Sequence, residues 1–272
     1  MTDEQQPKPD LATLVATMVE RLRRDGTVPG IPVGEPAPAF SLPDANGTPV
    51  GLDDRLRDGP VVVSFYRGAW CPICNTELAA LQEALPEIHA RSARLVAISP
   101  QAPDRSQELV QRLGLGYDVL SDVDQSVVRA YRLQCSLDDD LRSIYRGFNM
   151  ALDEHNADGT WNLPVPATFV IDQHGVVRAR HVDPNYRERM HVENILAALR
   201  TRADVVMISA PPLLTDSDTL LFAANADHAI VVTQANRTRM DSLQTTLASI
   251  RAMHVNIFGL VLYDADWNGS VA

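Results

Sequence analysis

Hydrophobic residues recur along the chain with two periods, and these periods predict an alternation of strands and helices. Continuous apolar runs predict buried strands at 61–66 (VVVSFY) and 94–99 (RLVAIS). The runs ATFVID and VVRARHV flank the turn Asp172–Gly175 and predict a β-hairpin. Apolar residues spaced three and four apart predict helices over 10–24, 72–90, 104–114, 125–132 and 191–200. This order favours an α/β sheet with mixed strand directions and helices on its faces.

Two stretches depart from this alternation. Residues 136–163 are predicted to be a loop, whose acidic run Asp138–Asp140 is interpreted as a helix N-cap rather than a cation site. A second unit is predicted from near Ala203, because DVVMIS, HAIVVT and IFGLVL favour three buried parallel strands separated by helices at 217–225 and 238–253. We therefore expect an N-terminal helix and linker at 1–29, a main domain at 30–200 and a small α/β fragment at 203–272.

The composition is that of a protein that forms a hydrophobic core and avoids polyanions. The 272 residues are 45% hydrophobic and 22% charged, and the net charge of −11 disfavours nucleic acid and anionic membranes as main partners. The opening residues MTDEQQPKPD lack a signal-peptide pattern, and no apolar run reaches the roughly 20 residues of a membrane helix. Together with only three cysteines, these features predict a cytoplasmic protein.

A pair of cysteines, Cys71 and Cys74, lies where the strand at 61–66 gives way to the helix that begins near Pro72. Proline fits the first helical turn, which makes Cys71 the N-cap and Cys74 the third helical residue. Free amides and the helix dipole then stabilise a thiolate at Cys71 and lower its pKa from about 8.5 toward 7 or below. Because the second sulfur lies on the same helix face, the pair is predicted to undergo redox exchange.

Two other interpretations of the cysteine pair stay open, a zinc site and a pair of inert buried thiols. Zinc needs two further ligands at similar spacing, and neither the lone Cys135 nor any histidine pair offers them. Among the neighbours, Arg67 either lends positive charge to a thiolate or is an ordinary solvated arginine. Trp70 is expected to cover the core, and Glu77 to complement the helix dipole rather than relay protons.

Five segments resemble, in order, the peroxiredoxin-like branch of the thioredoxin superfamily, the alkyl hydroperoxide reductase/thiol-specific antioxidant group. They are VGEPAPAFSLPDANGTPV, VVVSFYRGAWCPICNTELAALQ, VAISPQAPD, VLSDVD and LPVPATFVIDQHGVVRARHVDPNY, within about residues 30–200. The resemblance implies a thioredoxin fold in which Val165–Pro166 is a cis-proline segment facing the thiols. It also implies hydroperoxide reduction without a metal or organic cofactor, through a sulfenic acid and an intramolecular disulfide that an external thioredoxin-like dithiol reduces.

This resemblance leaves the attacking cysteine open. Aligned with thioredoxins, WCPIC makes Cys71 the attacking thiol and Cys74 the resolving one. Aligned with the T-x-x-C pattern of peroxiredoxins, CPICNTEL makes Cys74 peroxidatic, while Cys71 replaces a threonine and Pro166 replaces an arginine. A thioredoxin-like protein disulfide oxidoreductase and a non-catalytic redox-sensing scaffold with a partner-binding C-terminal fragment are the alternatives to a peroxidase.

Residues 203–266 resemble the C-terminal half of the P-loop ATPase domain in bacterial polysaccharide-chain-length tyrosine kinases, which are related to the MinD/ParA group. The chain contains no G-x-x-x-x-G-K-[ST] motif, and Ser209 stands where a magnesium-holding acid is expected. We therefore expect neither ATP binding nor kinase activity. The apolar strands of this fragment are expected to dock on the first domain, on a partner or on a second copy in a homodimer.

Overall fold

The structure is a computed structural model that describes residues 10–199, 207–215, 219 and 223–264. The chain divides into two compact units, residues 1–201 and 202–272, and each unit is described by itself. Among the described residues, no helix combines the length and the apolar character that crossing a membrane requires.

The described residues of the first unit form nine helices. They are α1 (Leu11–Asp25), α2 (Leu52–Arg57), α3 (Pro72–Glu83), α4 (Leu85–His89), α5 (Pro103–Leu113), α6 (Ser126–Ala130), α7 (Asp139–Gly147), α8 (Leu152–His155) and α9 (Val192–Ala198). Asp10 caps α1 by accepting from the Thr13 amide at 2.8 Å. Proline occupies the first position of α3 and of α5, where its missing N–H leaves no bond unmade.

The strands of the first unit form one central sheet and two short pairs. They are β1 (Ser41–Pro43), β2 (Pro49–Gly51), β3 (Val61–Phe65), β4 (Arg94–Ser99), β5 (Asp118–Ser121), β6 (Gln134–Ser136), β7 (Asn162–Pro164), β8 (Ala167–Ile171) and β9 (Val177–Val182). The central sheet has the order β5-β4-β3-β8-β9. Strand β4 pairs in parallel with β3 and with β5, and β8 pairs antiparallel with β3 and with β9. The predicted sheet of mixed strand directions is confirmed.

The centre of this sheet is buried on both faces, which makes β3 a rigid support for the start of α3. Alternate residues of β3 enter different clusters, Phe65 on one face and Val62 on the other. The Phe65 ring lies 4.8 Å from the ring of Tyr131 and 6.1 Å from the ring of Phe169, measured between centroids. Such packing on both sides fixes the end of β3, from which the cysteine segment leaves.

Two predicted elements of the first unit are wrong. The single helix expected over 72–90 is interrupted at Ala84, because Pro86 has no N–H with which to continue the helical ladder. The loop expected over 136–163 contains α7, α8, β6 and β7. Leu141 and Tyr145 lie one turn apart and are both buried, so α7 is held by packing, while Asp138 is its N-cap and accepts from the Leu141 amide at 3.0 Å.

The expected cis bond between Val165 and Pro166 is also wrong, since no cis peptide bond occurs in the part of the chain that the structure describes. The Val165 amide donates to the Leu133 carbonyl at 2.8 Å, and the chain continues past Pro166 into β8 without reversing. An extended path of this kind accommodates the trans isomer, which X–Pro bonds favour by about 0.5–1 kcal/mol.

The described residues of the second unit include a parallel strand pair with a helix on one face: β10 (His228–Gln234), α10 (Met240–Ala252) and β11 (Asn256–Tyr263). Val231 of β10 packs with Ile250 of α10 and with Val255. The opposite face is exposed, so these strands are buried on one side and not on both as predicted. The strand predicted at 204–209 and the helix predicted at 217–225 lie partly outside the described residues, and 207–209 form no strand.

Candidate functional site

The two cysteines occupy the first turn of α3 as the sequence predicts. Cys71 is the N-cap, with extended backbone angles of φ −91° and ψ 110°, and Cys74 is the third helical residue. The Cys71 amide donates to the Gly68 carbonyl at 3.1 Å, and its carbonyl accepts from the Asn75 amide at 3.1 Å. Both are free thiols and both are buried, Cys71 with 2% and Cys74 with none of its surface exposed. The pair is therefore shielded from bulk water.

The ionisation of the two thiols is strongly unequal. A hydrogen bond from the Cys74 thiol lowers the pKa of Cys71 to about 6, with smaller help from the charge of Arg67, the Cys74 amide and Arg189, against the effect of burial. The same hydrogen bond, followed by burial, raises the pKa of Cys74. Because the Cys71 sulfur makes no N-cap hydrogen bond of ordinary geometry, the neighbouring thiol outweighs the helix amides that the sequence argument invoked. The pair holds one proton, with the thiolate on Cys71.

Arg67 brings a buried positive charge to this pair. Its side chain leaves the end of β3, is 5% exposed, and donates from Nη2 to the Tyr145 hydroxyl at 2.7 Å. The guanidinium also lies over the rings of Trp70, Tyr145 and Tyr186, at 4.9, 5.9 and 4.5 Å from their centroids. Within the described residues no carboxylate pairs with it. Burial lowers the pKa of Arg67, but Tyr145 and Cys71 outweigh burial and raise it.

Arg67 is therefore not the solvated arginine of the alternative interpretation. A buried guanidinium without a carboxylate needs other partners for its charge, and Tyr145 and then the thiolate of Cys71 supply them. Trp70 packs against both Arg67 and Tyr145, whose ring centroid lies 6.2 Å from its own. Trp70 thus covers the core, as predicted, and also encloses the cation.

A second arginine, Arg189, contacts the other thiol, and the sequence did not single it out. Its Nε donates to the Glu77 carboxylate at 2.6 Å, and its Nη2 lies 3.5 Å from the Cys74 sulfur. The side chains of Arg189 and Glu77 are 14% and 9% exposed, so this is a mostly buried ion pair. Burial raises the pKa of Glu77 to about 6, although Arg189 acts in the opposite direction. Glu77 is an arginine partner and not merely an acid at the helix start.

The remaining sequence-predicted residues lie beside Arg67. Pro166, Cys135 and Arg67 share the wall of a cavity of about 20 Å³, which is room for about one water molecule. Burial raises the pKa of Cys135 to about 11, so this thiol stays protonated and inert at neutral pH. A larger cleft of about 470 Å³ lies along β5, and neither Cys71 nor Cys74 lines it.

A comparison with known sequences places the chain in a family. Residues 33–180, more than half of the chain, match the AhpC/TSA family. The chain belongs to the AhpC/TSA family. The match includes the central sheet, both cysteines and Pro166, whereas Arg189 and the second unit lie beyond it.

Relatives and a solved structure agree with this assignment. A protein of Mycobacterium tuberculosis is 36% identical over 98 residues, which are 36% of this chain and 62% of that protein. Peroxiredoxin Bcp of Escherichia coli is 31% identical over 98 residues, again 36% of this chain and 62% of the relative. The chain thus spans less than two thirds of these relatives. The crystal structure of peroxidoxin BcpB from Mycobacterium tuberculosis is 25% identical with a TM-score of 0.50, covering 62% of this chain and 96% of that one.

Proposed function

We propose that the protein is a thiol-dependent peroxidase that reduces hydroperoxides through Cys71 and Cys74. The observation that carries this proposal is a pair of free, buried thiols in the first turn of α3 beside a buried arginine. This arrangement lowers the pKa of Cys71 to about 6. A thiolate at neutral pH is the form that attacks a peroxide oxygen. Membership of the AhpC/TSA family supports the same chemistry.

The reaction uses both thiols in turn. The Cys71 thiolate attacks one peroxide oxygen, the O–O bond breaks, and the departing alkoxide or hydroxide takes a proton, which leaves Cys71 as a sulfenic acid. The sulfur of Cys74 then attacks the sulfenic sulfur, water departs, and a disulfide joins the two residues. An external dithiol returns both cysteines to thiols and is itself oxidised to a disulfide. Neither a metal nor an organic cofactor takes part in these steps.

Cys71 is the better candidate for the attacking thiol. Its neighbour Arg67 has no carboxylate partner among the described residues, so the full charge favours the thiolate, whereas the charge of Arg189 near Cys74 is already offset by Glu77. The order of attack then follows the thioredoxin-like alignment, although the reaction is the peroxidase one. A thioredoxin-like protein suits the role of reductant, and the net charge of −11 disfavours nucleic acid and anionic membranes as partners. The small number of cysteines favours a cytoplasmic enzyme.

Peroxide turnover tests the proposal. With hydrogen peroxide or cumene hydroperoxide and a thioredoxin system, we expect many equivalents of peroxide to be consumed per protein. A single equivalent followed by arrest indicates a redox sensor, and turnover of protein disulfides without peroxide turnover indicates a disulfide oxidoreductase. Either result contradicts the proposal.

Mass spectrometry identifies the attacking residue. After a brief, limited dose of peroxide with dimedone present, we expect the Cys74→Ser protein to carry a sulfenic adduct on Cys71. The Cys71→Ser protein is expected to carry none on Cys74, and its peroxide turnover should fall by about 10⁴-fold. An adduct that forms on Cys74 and not on Cys71 reverses the assignment and supports the peroxiredoxin alignment.

For the second unit we propose a homodimer contact. The outward residues of β10 and β11 form an apolar face: Ile230, Val232, Phe258 and Val261, which are 50%, 62%, 78% and 47% exposed. None of them carries a charge, so the face offers nothing to a charged partner but matches its own copy in a symmetric contact. Light scattering is expected to give the mass of a dimer for the full chain and of a monomer for Phe258→Asp. A monomeric full chain contradicts the proposal.

A further inference from the structure

The backbone of one residue, Ala69, is held at both its N–H and its carbonyl by side chains from other elements. Its N–H donates to the Gln101 side-chain oxygen at 2.6 Å. Its carbonyl accepts from the side-chain amide of Asn75 at 3.0 Å and from the Arg112 guanidinium at 3.3 Å. Asn75 belongs to α3, Arg112 to α5 and Gln101 to the segment between β4 and α5. We name Gln101, Asn75 and Arg112 the Ala69 clamp.

The partners of this clamp leave no choice of side-chain orientation. An N–H needs an acceptor, so Gln101 must present its oxygen to Ala69, and a carbonyl needs a donor, so Asn75 must present its nitrogen. Gln101 is itself immobile, because it is 1% exposed and its backbone pairs with Asn156. Gln101 therefore anchors the clamp in the core, whereas Asn75 is half-buried and Arg112 is exposed.

The clamped residue, Ala69, lies two residues before Cys71, in a tightly packed turn. Gly68 has a φ of +145°, and a Cβ at that position would lie 3.1 Å from the Gln101 side chain and closer still to Trp70. The Gly68 carbonyl accepts from the Cys71 amide at 3.1 Å, which links the turn directly to the N-cap residue. Since the Cys71 sulfur makes no N-cap hydrogen bond of ordinary geometry, its place depends largely on this backbone.

We propose that Gln101 and Asn75 are positioning residues that hold Cys71 at the start of α3, where its thiolate meets Cys74 and Arg67. They act through the Ala69 peptide and touch neither peroxide nor sulfur. The inference deepens the proposed function, because it concerns how the attacking thiolate is placed. Loss of the clamp should let the Trp70–Cys71 segment shift and raise the pKa of Cys71.

The test compares two glutamine variants. Gln101→Met keeps the shape of the side chain and removes the acceptor for the Ala69 amide. The matched control is Gln82→Met, because the Gln82 oxygen accepts from another loop amide, that of Gly116, at 2.7 Å in the same unit. The measurement is the iodoacetamide alkylation rate of Cys71 from pH 5 to pH 9, with the modified residue identified by mass spectrometry.

We expect Gln101→Met to slow alkylation of Cys71 about five-fold at pH 6, the change that a pKa higher by one unit produces, and to leave the rate at pH 9 unchanged. Gln82→Met should keep the original pH profile. Equal profiles for the two variants overturn the inference and make Gln101 merely structural. Should Gln101→Met fail to fold, Asn75→Ala is expected to give the same displaced profile, and an unchanged profile again overturns it.

These outcomes are separable from those of the proposed function. Alkylation measures the thiolate without any peroxide, so a displaced profile supports the positioning role even if the protein does not turn over peroxide. Conversely, peroxide turnover together with an undisplaced alkylation profile supports the peroxidase function and overturns the positioning role of the Ala69 clamp.

Discussion

The surroundings of Cys71 and of Cys74 differ in how they use an arginine. Arg189 lies 3.5 Å from the Cys74 sulfur, yet the pKa of Cys74 is raised. Arg67 directs its hydrogen bond to the Tyr145 hydroxyl, and yet its charge contributes to the lowered pKa of Cys71. The arginine in closer contact with a sulfur thus accompanies the thiol that stays protonated.

The hydrogen bond between the thiols accounts for most of this difference, because it lowers the pKa of Cys71 and raises the pKa of Cys74. What else each guanidinium contacts adds to it. Arg189 lowers the pKa of Cys74, but it is bonded to the carboxylate of Glu77, whose negative charge acts in the opposite direction. Arg67 is held by aromatic rings and a hydroxyl, which keep it buried without cancelling its charge. An arginine therefore lowers the pKa of a thiol by its uncompensated charge rather than by proximity alone.

Removing the uncompensated charge should have the largest effect. We expect Arg67→Met to raise the pKa of Cys71 by about 1–3 units from its value of about 6. Because only the thiolate reacts, and thiolate is lost as the pH falls through the pKa, alkylation of Cys71 at pH 6 should slow about ten-fold or more. At pH 9 the variant and the natural protein should differ much less.

Arg146→Met is the matched control for this prediction. The Arg146 guanidinium also lies over an aromatic ring, 5.0 Å from the centroid of Trp161, but it pairs with Asp153 and does not act on either thiol. Its loss should leave the alkylation profile in place. If the two variants displace the profile equally, the charge of Arg67 is not what ionises Cys71.

A smaller effect is expected when the charge of Arg189 is released. Glu77→Gln keeps a hydrogen-bond acceptor for Arg189 but removes the negative charge, so the guanidinium should favour a thiolate on Cys74. At pH 7 we expect the share of alkylation on Cys74, relative to Cys71, to rise several-fold by mass spectrometry. Glu87→Gln, which alters an exposed glutamate paired with Arg91, should change nothing. An unchanged ratio in Glu77→Gln would falsify the compensation argument.

The natural protein offers a second view of the same ion pair. The pKa of Glu77 is raised to about 6, so the carboxylate gains its proton as the pH falls through that value and ceases to offset Arg189. The share of label on Cys74 should therefore rise below about pH 6 in the natural protein. In Glu77→Gln this pH dependence should be absent, because no carboxylate is left to titrate.

Much of the fold could be predicted from the sequence because its signals are local. The apolar run that forms β3, the proline that begins α3 and the capping aspartate before α1 each depend on neighbouring residues alone. The elements predicted incorrectly depend on packing. Helix α7 is held by Tyr145 and Leu141 against distant residues, and no described element covers the outer face of β10 and β11, although parallel strands usually are covered.

The candidate site likewise has one part that local sequence predicts and another that depends on distant residues. The positions of Cys71 and Cys74 at the helix start follow from spacing and from Pro72. The partners that set their ionisation come from far along the chain: Tyr145 is 78 residues from Arg67, and Arg189 is 115 residues from Cys74. No local pattern joins such pairs. The one available signal was an arginine-rich segment, YRERM, after β9, in which nothing distinguishes Arg189 from Arg187.

The smallest effect is expected for the hydroxyl that anchors Arg67. Tyr145→Phe removes the acceptor at 2.7 Å but keeps the ring beside the guanidinium. We expect a loss of about 1 kcal/mol in the free energy of unfolding, measured by urea denaturation, because a buried N–H is left without its partner. The pKa of Cys71 should move by less than about half a unit, since the rings of Trp70 and Tyr186 still hold the charge in place.

Tyr117→Phe is the control that separates a loss of stability from an effect on the charge near Cys71. The Tyr117 hydroxyl donates to the Leu78 carbonyl at 2.9 Å, so its removal should cost a similar free energy of unfolding and leave Cys71 unaffected. If Tyr145→Phe instead displaces the alkylation profile as far as Arg67→Met does, the hydroxyl and not the aromatic rings fixes the guanidinium. Arg67 would then be held by one specific hydrogen bond, just as Arg189 is held by Glu77. The two arginines would differ only in whether the partner's charge cancels their own.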